Sequence, residues 1–292
     1  MSRMGVGFRL SGRTLELTGP WSSTAGRAVR LLRPSGLDVS YTLGFDGDDV
    51  EFLSGLAGTT IRRLTVVDHE VQDLAPLERL APQLEHLTLR TPSTHPLDLS
   101  RFPRLTSYRG PWAHVRDSIE WGTRIERLML DGYVDSDLTV LHDLPSLTAL
   151  RLDRPERLRC LRGVSPRLER LSVLHAPLLT DVSDVASAPA LRLLELIGSP
   201  STVGLDQIGS CTALEELTVS GCGPVATLAW VAGLRRLRRL ELLGCTPVVD
   251  GDLQPLLDLP ALSQVTLQPR SHYRPSAAEV LAGVRAKNPV RR

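Results

Sequence analysis

Histidine and cysteine are the residues of this sequence that could hold a metal ion or act in catalysis. The seven histidines are scattered and form neither an H-E-x-x-H nor an H-x₃₋₅-H pattern, and no two cysteines form a C-x-x-C pair. The patterns of a serine nucleophile elbow, a P-loop and a dinucleotide-binding glycine loop are also missing. We therefore predict no catalytic residue, no cofactor and no metal site, and we predict that the protein is not an enzyme.

Residues 46–51 form the densest acidic cluster, with the sequence D-G-D-D-V-E. Such a cluster could bind a divalent cation, but the glycine and the later glutamate of an EF-hand loop are missing. Asp48 and Glu51 also fit the D-x-x-E spacing of a helix capping box, in which each side chain satisfies a free backbone N–H group. We favour the helix cap over the metal site.

Arginine is the remaining residue type that could form a binding site, because its guanidinium group binds carboxylates and phosphates. Arginines recur at intervals of about 20 residues, which suggests that they occupy equivalent places on a repeated element. These are Arg63, Arg90, Arg109, Arg127, Arg151 and Arg170. Whether they act together depends on the elements that carry them.

A repeat with apolar residues at positions 1, 4 and 6 organises most of the chain. Successive first positions are separated by 20 to 25 residues, and many of these positions hold one of the 54 leucines of the 292-residue chain. The ten first positions are Ile61, Leu84, Leu105, Ile125, Leu147, Leu168, Leu191, Leu214, Leu237 and Leu262. The spacing indicates a solenoid of stacked coils.

Positions 4 and 6 have a period of two, which predicts a short strand with these residues inward and positions 3, 5 and 7 outward. A three-residue apolar spacing follows, as in Leu74, Leu77 and Leu80, and predicts a short helix or 3₁₀ turn. Six repeats then place a proline two residues before position 1, where it ends the helix. We predict an α/β fold with one parallel sheet.

The sequence resembles the leucine-rich repeat family from about Ile61 to Leu267. Residues 211–222 read C-x-x-L-x-x-L-x-L-x-x-C, which is similar to the cysteine-containing subclass of that family. The resemblance implies a curved horseshoe with the sheet on its concave face and short helices on its convex face. It also implies that Cys211, Cys222 and Cys245 are buried. The asparagine that the family commonly has at position 9 is missing here, so the turns must satisfy their backbone groups in another way.

The outward face of the predicted sheet is the candidate partner-binding surface. It carries the arginines named above in the first six repeats, and glutamates in the later ones. Apolar residues at outward positions, which are not predicted to lie in the core, stand between the arginines and the glutamates. This arrangement is typical of a protein interface. The glutamates are Glu195, Glu216 and Glu241, and the apolar residues are Met129, Leu174, Leu193, Ile197 and Leu243, with Trp112 and Tyr133 near the strand exits.

The repeats need caps, because a solenoid exposes its apolar core at both ends. We predict an N-terminal cap over residues 1–60, repeats over 61–268 and a C-terminal cap over 269–292, all in one continuous domain. The first cap should hold a hairpin, a helix and a degenerate first coil. In the last, Ser276 and Glu279 form a capping box.

The predicted function is non-catalytic binding of a protein partner, and the candidate partners are immunity, defence or regulatory proteins in a bacterium. A substrate receptor for a modifying enzyme and a nucleic-acid binder that uses the arginine-rich half are the alternatives. The balance of 34 Lys and Arg against 33 Asp and Glu argues against a dedicated nucleic-acid or membrane binder. No long apolar run is present, so we expect a cytoplasmic protein with reduced cysteines.

Overall fold

The computed structural model describes residues 3–5, 8–11, 13–17, 27–31, 38–42, 56, 59–67, 73–91 and 93–287. They belong to two compact units, unit 1 with residues 1–131 and 144–146, and unit 2 with residues 132–143 and 147–292. The helix cap predicted at residues 46–51, and the metal site considered there as its alternative, lie outside the described residues. The same is true of the position-9 residues His69 and Pro92.

Unit 1 begins with three antiparallel strands and continues with parallel ones. The hairpin predicted from the alternation around Ser11 is present, with Phe8 opposite Leu17. From the third strand onward each strand pairs in parallel with the next. The strands are β1 (Arg3–Gly5), β2 (Phe8–Ser11), β3 (Thr14–Leu17), β4 (Asp38–Thr42), β5 (Arg63–Val67), β6 (His86–Arg90), β7 (Ser107–Pro111) and β8 (Arg127–Asp131).

Short helical segments connect the parallel strands of unit 1. Residues 27–31 are α-helical, and the later segments are 3₁₀ helices, as the three-residue apolar spacing predicts. The 3₁₀ helices are Ala75–Arg79, Ala81–Gln83, Leu99–Arg101, Trp112–His114 and Arg116–Trp121.

Unit 2 is parallel in all its pairings. Its strands are β9 (Ala149–Asp153), β10 (Arg170–Leu174), β11 (Leu193–Ile197), β12 (Glu216–Ser220), β13 (Arg239–Leu243) and β14 (Gln264–Leu267). The connecting α-helices are Thr139–His142 and Gln254–Asp258, the 3₁₀ helices are Ser183–Ser187, Leu205–Ser210 and Ala229–Gly233, and the C-terminal helix is Ala277–Lys287.

The predicted repeat is confirmed, because β5 to β14 each begin two residues after one of the ten first positions. All ten first-position side chains are at most 2% exposed. Positions 4 and 6 are buried beside them in β5 to β13, so three inward residues per coil build the core. Val265 in the last strand is only half-buried.

Backbone hydrogen bonds hold the coils in register before the strands in both units, and also after the strands in unit 2. Before the strand, the position-2 N–H donates to the position-2 carbonyl of the preceding coil, as from Glu215 to Arg192 at 2.8 Å. After it, the position-8 N–H donates to the position-7 carbonyl of the next coil, as from Gly198 to Ser220 at 2.8 Å. Equivalent residues of neighbouring coils therefore form continuous rows.

Aspartate side chains cap the first turn of several of the short helical segments. Five aspartates accept a hydrogen bond from the N–H two residues later, at the start of a helical segment, at 2.8 to 3.1 Å. The local geometry is that of an Asx turn. These aspartates are Asp73, Asp98, Asp137, Asp181 and Asp252.

The capping box predicted at the start of the C-terminal helix is present. Glu279 Oε2 accepts from the N–H of Ser276 at 2.7 Å, and Ser276 Oγ accepts from the N–H of Glu279 at 3.3 Å. Ala277, Val280 and Val284 of this helix are buried, so its apolar side covers the end of unit 2.

A buried histidine in unit 1 contacts two hydrogen-bonding groups, and both of them are neutral. His114 is fully buried, its Nε2 lies 2.6 Å from the carbonyl oxygen of Ser93, and its Nδ1 lies 3.3 Å from the hydroxyl of Tyr108. Burial lowers the pKa of His114 below its ordinary value of 6.5, and the nearby His95 lowers it further, although the Ser93 carbonyl acts in the opposite direction. The imidazole is therefore held neutral in the folded protein.

We expect the free energy of unfolding to fall as the pH drops below about 6.5, because the unfolded chain then binds a proton that folded His114 resists. His86 adds to this fall, since burial and then Arg63 and Arg127 lower its pKa as well. Urea denaturation of the parent and of His114→Gln at pH 8 and pH 5 measures the effect. A smaller loss is expected for the variant; equal losses would contradict this assignment.

Candidate functional site

The outer face of the sheet consists of the side chains at positions 3, 5 and 7 of each strand. In unit 2 the register aligns them in three rows, so that Arg151, Ser172 and Glu195 are neighbours at position 5. Leu174 and Ile197 are neighbours at position 7. On the outer face of each unit, the side chains therefore form a continuous surface in which the register fixes the neighbours of each residue.

The charged side chains of unit 2 largely pair with one another. Glu195 accepts a hydrogen bond from Ser172 Oγ at 2.6 Å, and its carboxylate lies 4.0 Å from the Arg151 guanidinium. Arg239 lies 3.6 Å from the Glu216 carboxylate and donates to Gln264 at 2.8 Å. The predicted residues Arg151, Glu195 and Glu216 are thus on the outer face, where the pairs cancel much of their charge.

Arg170 and Glu241, also predicted for this face, lie at positions 3 and 5 of their strands. Arg170 is exposed and Glu241 is half-buried. Neither makes a salt bridge among the residues that the structure describes.

Part of the apolar set predicted for the outer face is accessible. Leu193, Ile197 and Leu243 are half-buried, and Met129 in unit 1 is 36% exposed. Leu174 is only 5% exposed, so the prediction that it is accessible is wrong. It lies in register between Asp153 and Ile197, and these flanking side chains leave little of it open.

The predictions that Trp112 and Tyr133 are accessible near the strand exits are also wrong, because these side chains are 1% and 0% exposed. Trp112 begins a 3₁₀ helix directly after β7, and this turn directs it into the core. Tyr133 takes the inward position 9, and its hydroxyl donates to the Asp137 carbonyl at 2.7 Å. These two aromatic residues contribute to folding and offer no contact surface to a partner.

The arginines predicted for unit 1 lie on its outer face and are exposed. Arg63 lies 3.8 Å from the Asp38 carboxylate. Arg90, Arg109 and Arg127 occupy positions 7, 5 and 3 of three consecutive strands. The outer face of unit 1 therefore carries four exposed arginines.

A left-handed residue follows the strand in six consecutive coils, those of β8 to β13, a feature that the sequence analysis missed. Four of these position-8 residues are glycines, but Arg154 and His175 adopt φ values of 50° and 55°. A non-glycine residue in this region costs roughly 1 to 2 kcal/mol. The six residues are Gly132, Arg154, His175, Gly198, Gly221 and Gly244.

The side chains of the two strained residues lie on either side of one carboxylate. Asp153 is 3.8 Å from Arg154 Nε and 3.5 Å from His175 Nδ1, while these two side chains remain 74% and 64% exposed. Non-glycine residues in strained conformations are often associated with function. The glycines after strands at repeat spacing in the sequence were the signal that could have identified this row.

The structure corrects one of the cysteine predictions. Cys211 and Cys222 are buried, as predicted, and burial raises the pKa of both thiols. Cys245 is exposed, because this longer coil places Thr246 in the inward position, where its hydroxyl accepts from the Cys222 N–H at 2.9 Å. Among the described residues, no group of three or more His, Cys, Asp or Glu side chains is placed to hold a metal ion.

We expect a maleimide to label Cys245 in the folded protein much faster than Cys211 or Cys222, because only the exposed thiol is accessible and the buried thiols resist deprotonation. Mass spectrometry of proteolytic peptides after timed labelling measures the three rates. Labelling of Cys211 at the rate of Cys245 would contradict the observed register.

Replacing Arg154 with glycine is expected to raise the free energy of unfolding by up to about 1 kcal/mol, because glycine adopts a positive φ without a Cβ clash. The control is Arg170→Gly in the extended strand β10, which should lower it by about 0.5–1 kcal/mol. Urea denaturation followed by circular dichroism measures both variants. A loss of stability in Arg154→Gly equal to that of the control would show that the turn is not strained.

Comparisons with known proteins support the fold. No protein-family model matches the sequence, and no curated protein matches it. In structure, the chain is similar to an internalin (InlF) from Listeria monocytogenes, with 17% sequence identity, a TM-score of 0.55 and a match that covers 85% of this chain and 72% of the internalin. It is also similar to a TDR receptor, with 14% identity, a TM-score of 0.52 and coverage of 85% of this chain and 50% of the receptor.

A leucine-rich repeat protein of Leptospira interrogans also matches, with 15% identity, a TM-score of 0.47 and coverage of 88% of this chain and 78% of that protein. Identities of this size show the fold alone, so the cysteine-containing subclass stays a prediction. The ten coils with inward residues at positions 1, 4 and 6 agree with the similarity to the internalin, which is itself a leucine-rich repeat protein. The protein therefore has the leucine-rich repeat fold.

Proposed function

We propose that the protein is a non-catalytic module that binds a protein partner, and that the outer face of unit 2 is a contact surface. One observation carries the proposal: Leu193, Ile197 and Leu243 are accessible in part, on a surface where Arg151 pairs with Glu195 and Arg239 pairs with Glu216. Aliphatic side chains that lose water on binding are the usual anchors of protein interfaces.

The pairing of charges favours this surface over a purely electrostatic one. Arg151 and Glu195 already neutralise each other, as do Arg239 and Glu216. A partner that covers these two ion pairs buries each charge together with its opposite. Burying a charge without its opposite is the costly outcome when charged groups lose water. We therefore expect contact with the aliphatic residues to provide affinity, and the surrounding pairs to set orientation.

Nucleic-acid binding through the arginines is the second candidate function. The exposed arginines of unit 1 favour it; these are Arg63, Arg90, Arg109 and Arg127. Arg151 in unit 2 does not favour it, because Glu195 is its neighbour. Base stacking beside these arginines would need exposed aromatic side chains on the strands, but Trp112 and Tyr133 are buried and the exposed Trp121 lies on a connecting 3₁₀ helix. These observations support a protein partner ahead of a nucleic acid.

The biological setting rests on sequence composition. We propose an immunity, defence or regulatory role in the bacterial cytoplasm, with a substrate receptor for a modifying enzyme as the alternative. Of the helices in the described ranges, none combines the length and apolar character needed to cross a bilayer.

The first experiment identifies the partner by purifying the tagged protein from its native host. We then expect Ile197→Asp to speed dissociation, at a cost of roughly 2 kcal/mol, because it places a charge among desolvated aliphatic contacts. The matched control is Val140→Asp, which makes the same kind of change at an aliphatic residue that is 43% exposed on the helix Thr139–His142. Surface plasmon resonance measures both rate constants.

Circular dichroism first confirms that both variants are folded. If Ile197→Asp leaves the rate constants within about twofold of the parent while Val140→Asp abolishes binding, the contact surface is on the helical side and the outer-face proposal is wrong. Recovery of a nucleic acid as the tightly bound molecule would favour the second candidate function.

A further inference from the structure

A groove opens in unit 2 between the coil of β11 and the coil of β12, in the segments that lead from the strands to the helical segments. Isolated backbone bridges join neighbouring coils in these segments, as between Asp181 and Val203 and between Val225 and Val248. Within the described range 93–287, no such bridge joins Val203 to the coil of β12. The backbone ladder of these segments is therefore interrupted at the groove.

The direction of the backbone hydrogen bonds explains this interruption. The N–H group of Val203 donates to the Thr180 carbonyl at 2.8 Å, toward the coil of β10. The N–H group of Val225 donates to the Pro247 carbonyl at 2.8 Å, toward the coil of β13. Pro224 comes directly before Val225 and has no N–H group of its own. Side chains rather than backbone bridges therefore occupy the boundary between the two coils.

The side chains at this boundary are mostly apolar. They line a groove of about 370 Å³ that is open to solvent. Val203 is 63% exposed, and Val249 in the coil of β13 is 60% exposed. Apolar side chains that gather around a groove, rather than standing singly, are typical of a contact site. The apolar residues of the lining are Val203, Leu205, Pro224, Val225, Ala226 and Trp230.

Three carboxylates surround the groove. Asp206 belongs to the lining and is exposed. Asp181 lies beside the lining residue Gly204, because a Cβ added to that glycine would meet Asp181 Oδ1 at 3.2 Å. Across the groove, the N–H group of Asp250 donates to the carbonyl of Ala226 at 3.2 Å. Asp181 and Asp206 are therefore on one side of the groove, and Asp250 is on the other.

These carboxylates give the groove an acidic rim. Each of them accepts a hydrogen bond from a neutral N–H group, and none forms a salt bridge with a residue in the part of the chain that the structure describes. The lining contains no Arg, Lys or His. A basic partner therefore complements the rim, whereas the phosphates of a nucleic acid are repelled by it.

We propose that this groove binds a short segment of a protein partner that carries one aromatic side chain between two basic residues. The inference rests on the proposed function as a protein-binding module, and it adds a second contact surface in unit 2. An apolar cavity of about 150 Å³ holds a benzene ring, so a groove of about 370 Å³ has room for one aromatic side chain. The basic residues then meet Asp181 and Asp206 at one edge and Asp250 at the other.

The test titrates the full chain into fluorescein-labelled synthetic peptides and follows fluorescence anisotropy at low salt. The first peptide has a central phenylalanine, an arginine two residues before it and another two residues after it, and serine or glycine elsewhere. A second peptide with serine in place of phenylalanine is expected to bind at least about tenfold more weakly, because it buries no ring. A third with glutamate in place of both arginines should bind at least about fivefold more weakly, because the rim repels it. Added salt should weaken binding of the first peptide.

Ala226→Arg places a guanidinium group in the groove and should weaken binding of the first peptide at least about tenfold, because it fills the space and repels the arginines of the peptide. Ala226 is exposed, so the variant is expected to fold, and circular dichroism checks this. The matched control is Ala186→Arg, the same change at an exposed alanine of the 3₁₀ helix Ser183–Ser187, outside the groove lining. Its binding should stay within about twofold of the parent. Asp206→Asn keeps the shape of the side chain and removes one charge of the rim, so about a threefold loss is expected.

Three results would overturn the inference: no binding of the first peptide at about 1 mM protein, equal binding of the serine or glutamate peptide, or equal losses in Ala226→Arg and Ala186→Arg. Another copy of the chain is the alternative occupant, because Trp121 is an exposed aromatic residue. Self-association in sedimentation velocity that both Trp121→Ser and Ala226→Arg abolish would assign the groove to that copy and also overturn the inference. Failure of these experiments is distinguishable from failure of the proposed function, because the latter is tested with the native partner at Ile197 on the outer face.

Discussion

The backbone ladder between coils is the interaction on which the rest of the structure depends. In unit 2 it extends beyond the strands, from the position-2 carbonyl of one coil to the position-8 N–H that ends the turn, as with Arg192 and Gly198. Because the register is the same from coil to coil within a unit, residues at equivalent positions become neighbours in space. Burial of the leucines then follows, since three inward positions per coil stack into a continuous core.

The same register decides which side chains are neighbours on the outer face, and the result differs between the two units. In unit 2, position 5 brings Arg151 and Glu195 within reach of each other across Ser172. In unit 1, the register places Thr88 and Met129 beside Arg109. The same coil therefore places different neighbours around an arginine in the two units.

The sequence predicted the strands well because their pattern repeats ten times. A period of two around positions 4 and 6 locates every strand start, and it correctly places the arginines and glutamates outward. The turns were harder to predict, because a shift of one residue exchanges inside for outside. At position 9 of their coils, Tyr133 is fully buried but Cys245 is exposed. Thr246 takes the inward position instead of Cys245. Periodicity also carries no information on how much neighbours cover a side chain, as Leu174 shows.

The left-handed row after the strands has a consequence for how such a protein can change. Each position-8 residue lies at the surface, and its backbone conformation is held by hydrogen bonds that do not involve its side chain, as in Gly198 and His175. At Gly132, where a Cβ would meet no atom within 4 Å, a larger residue costs only the backbone strain of a positive φ, a modest and local part of the folding free energy. It also adds a new side chain beside the outer face. Such a turn can therefore change its surface chemistry while the core stays as it is, and Arg154 and His175 show that this chain holds non-glycine residues at two equivalent turns.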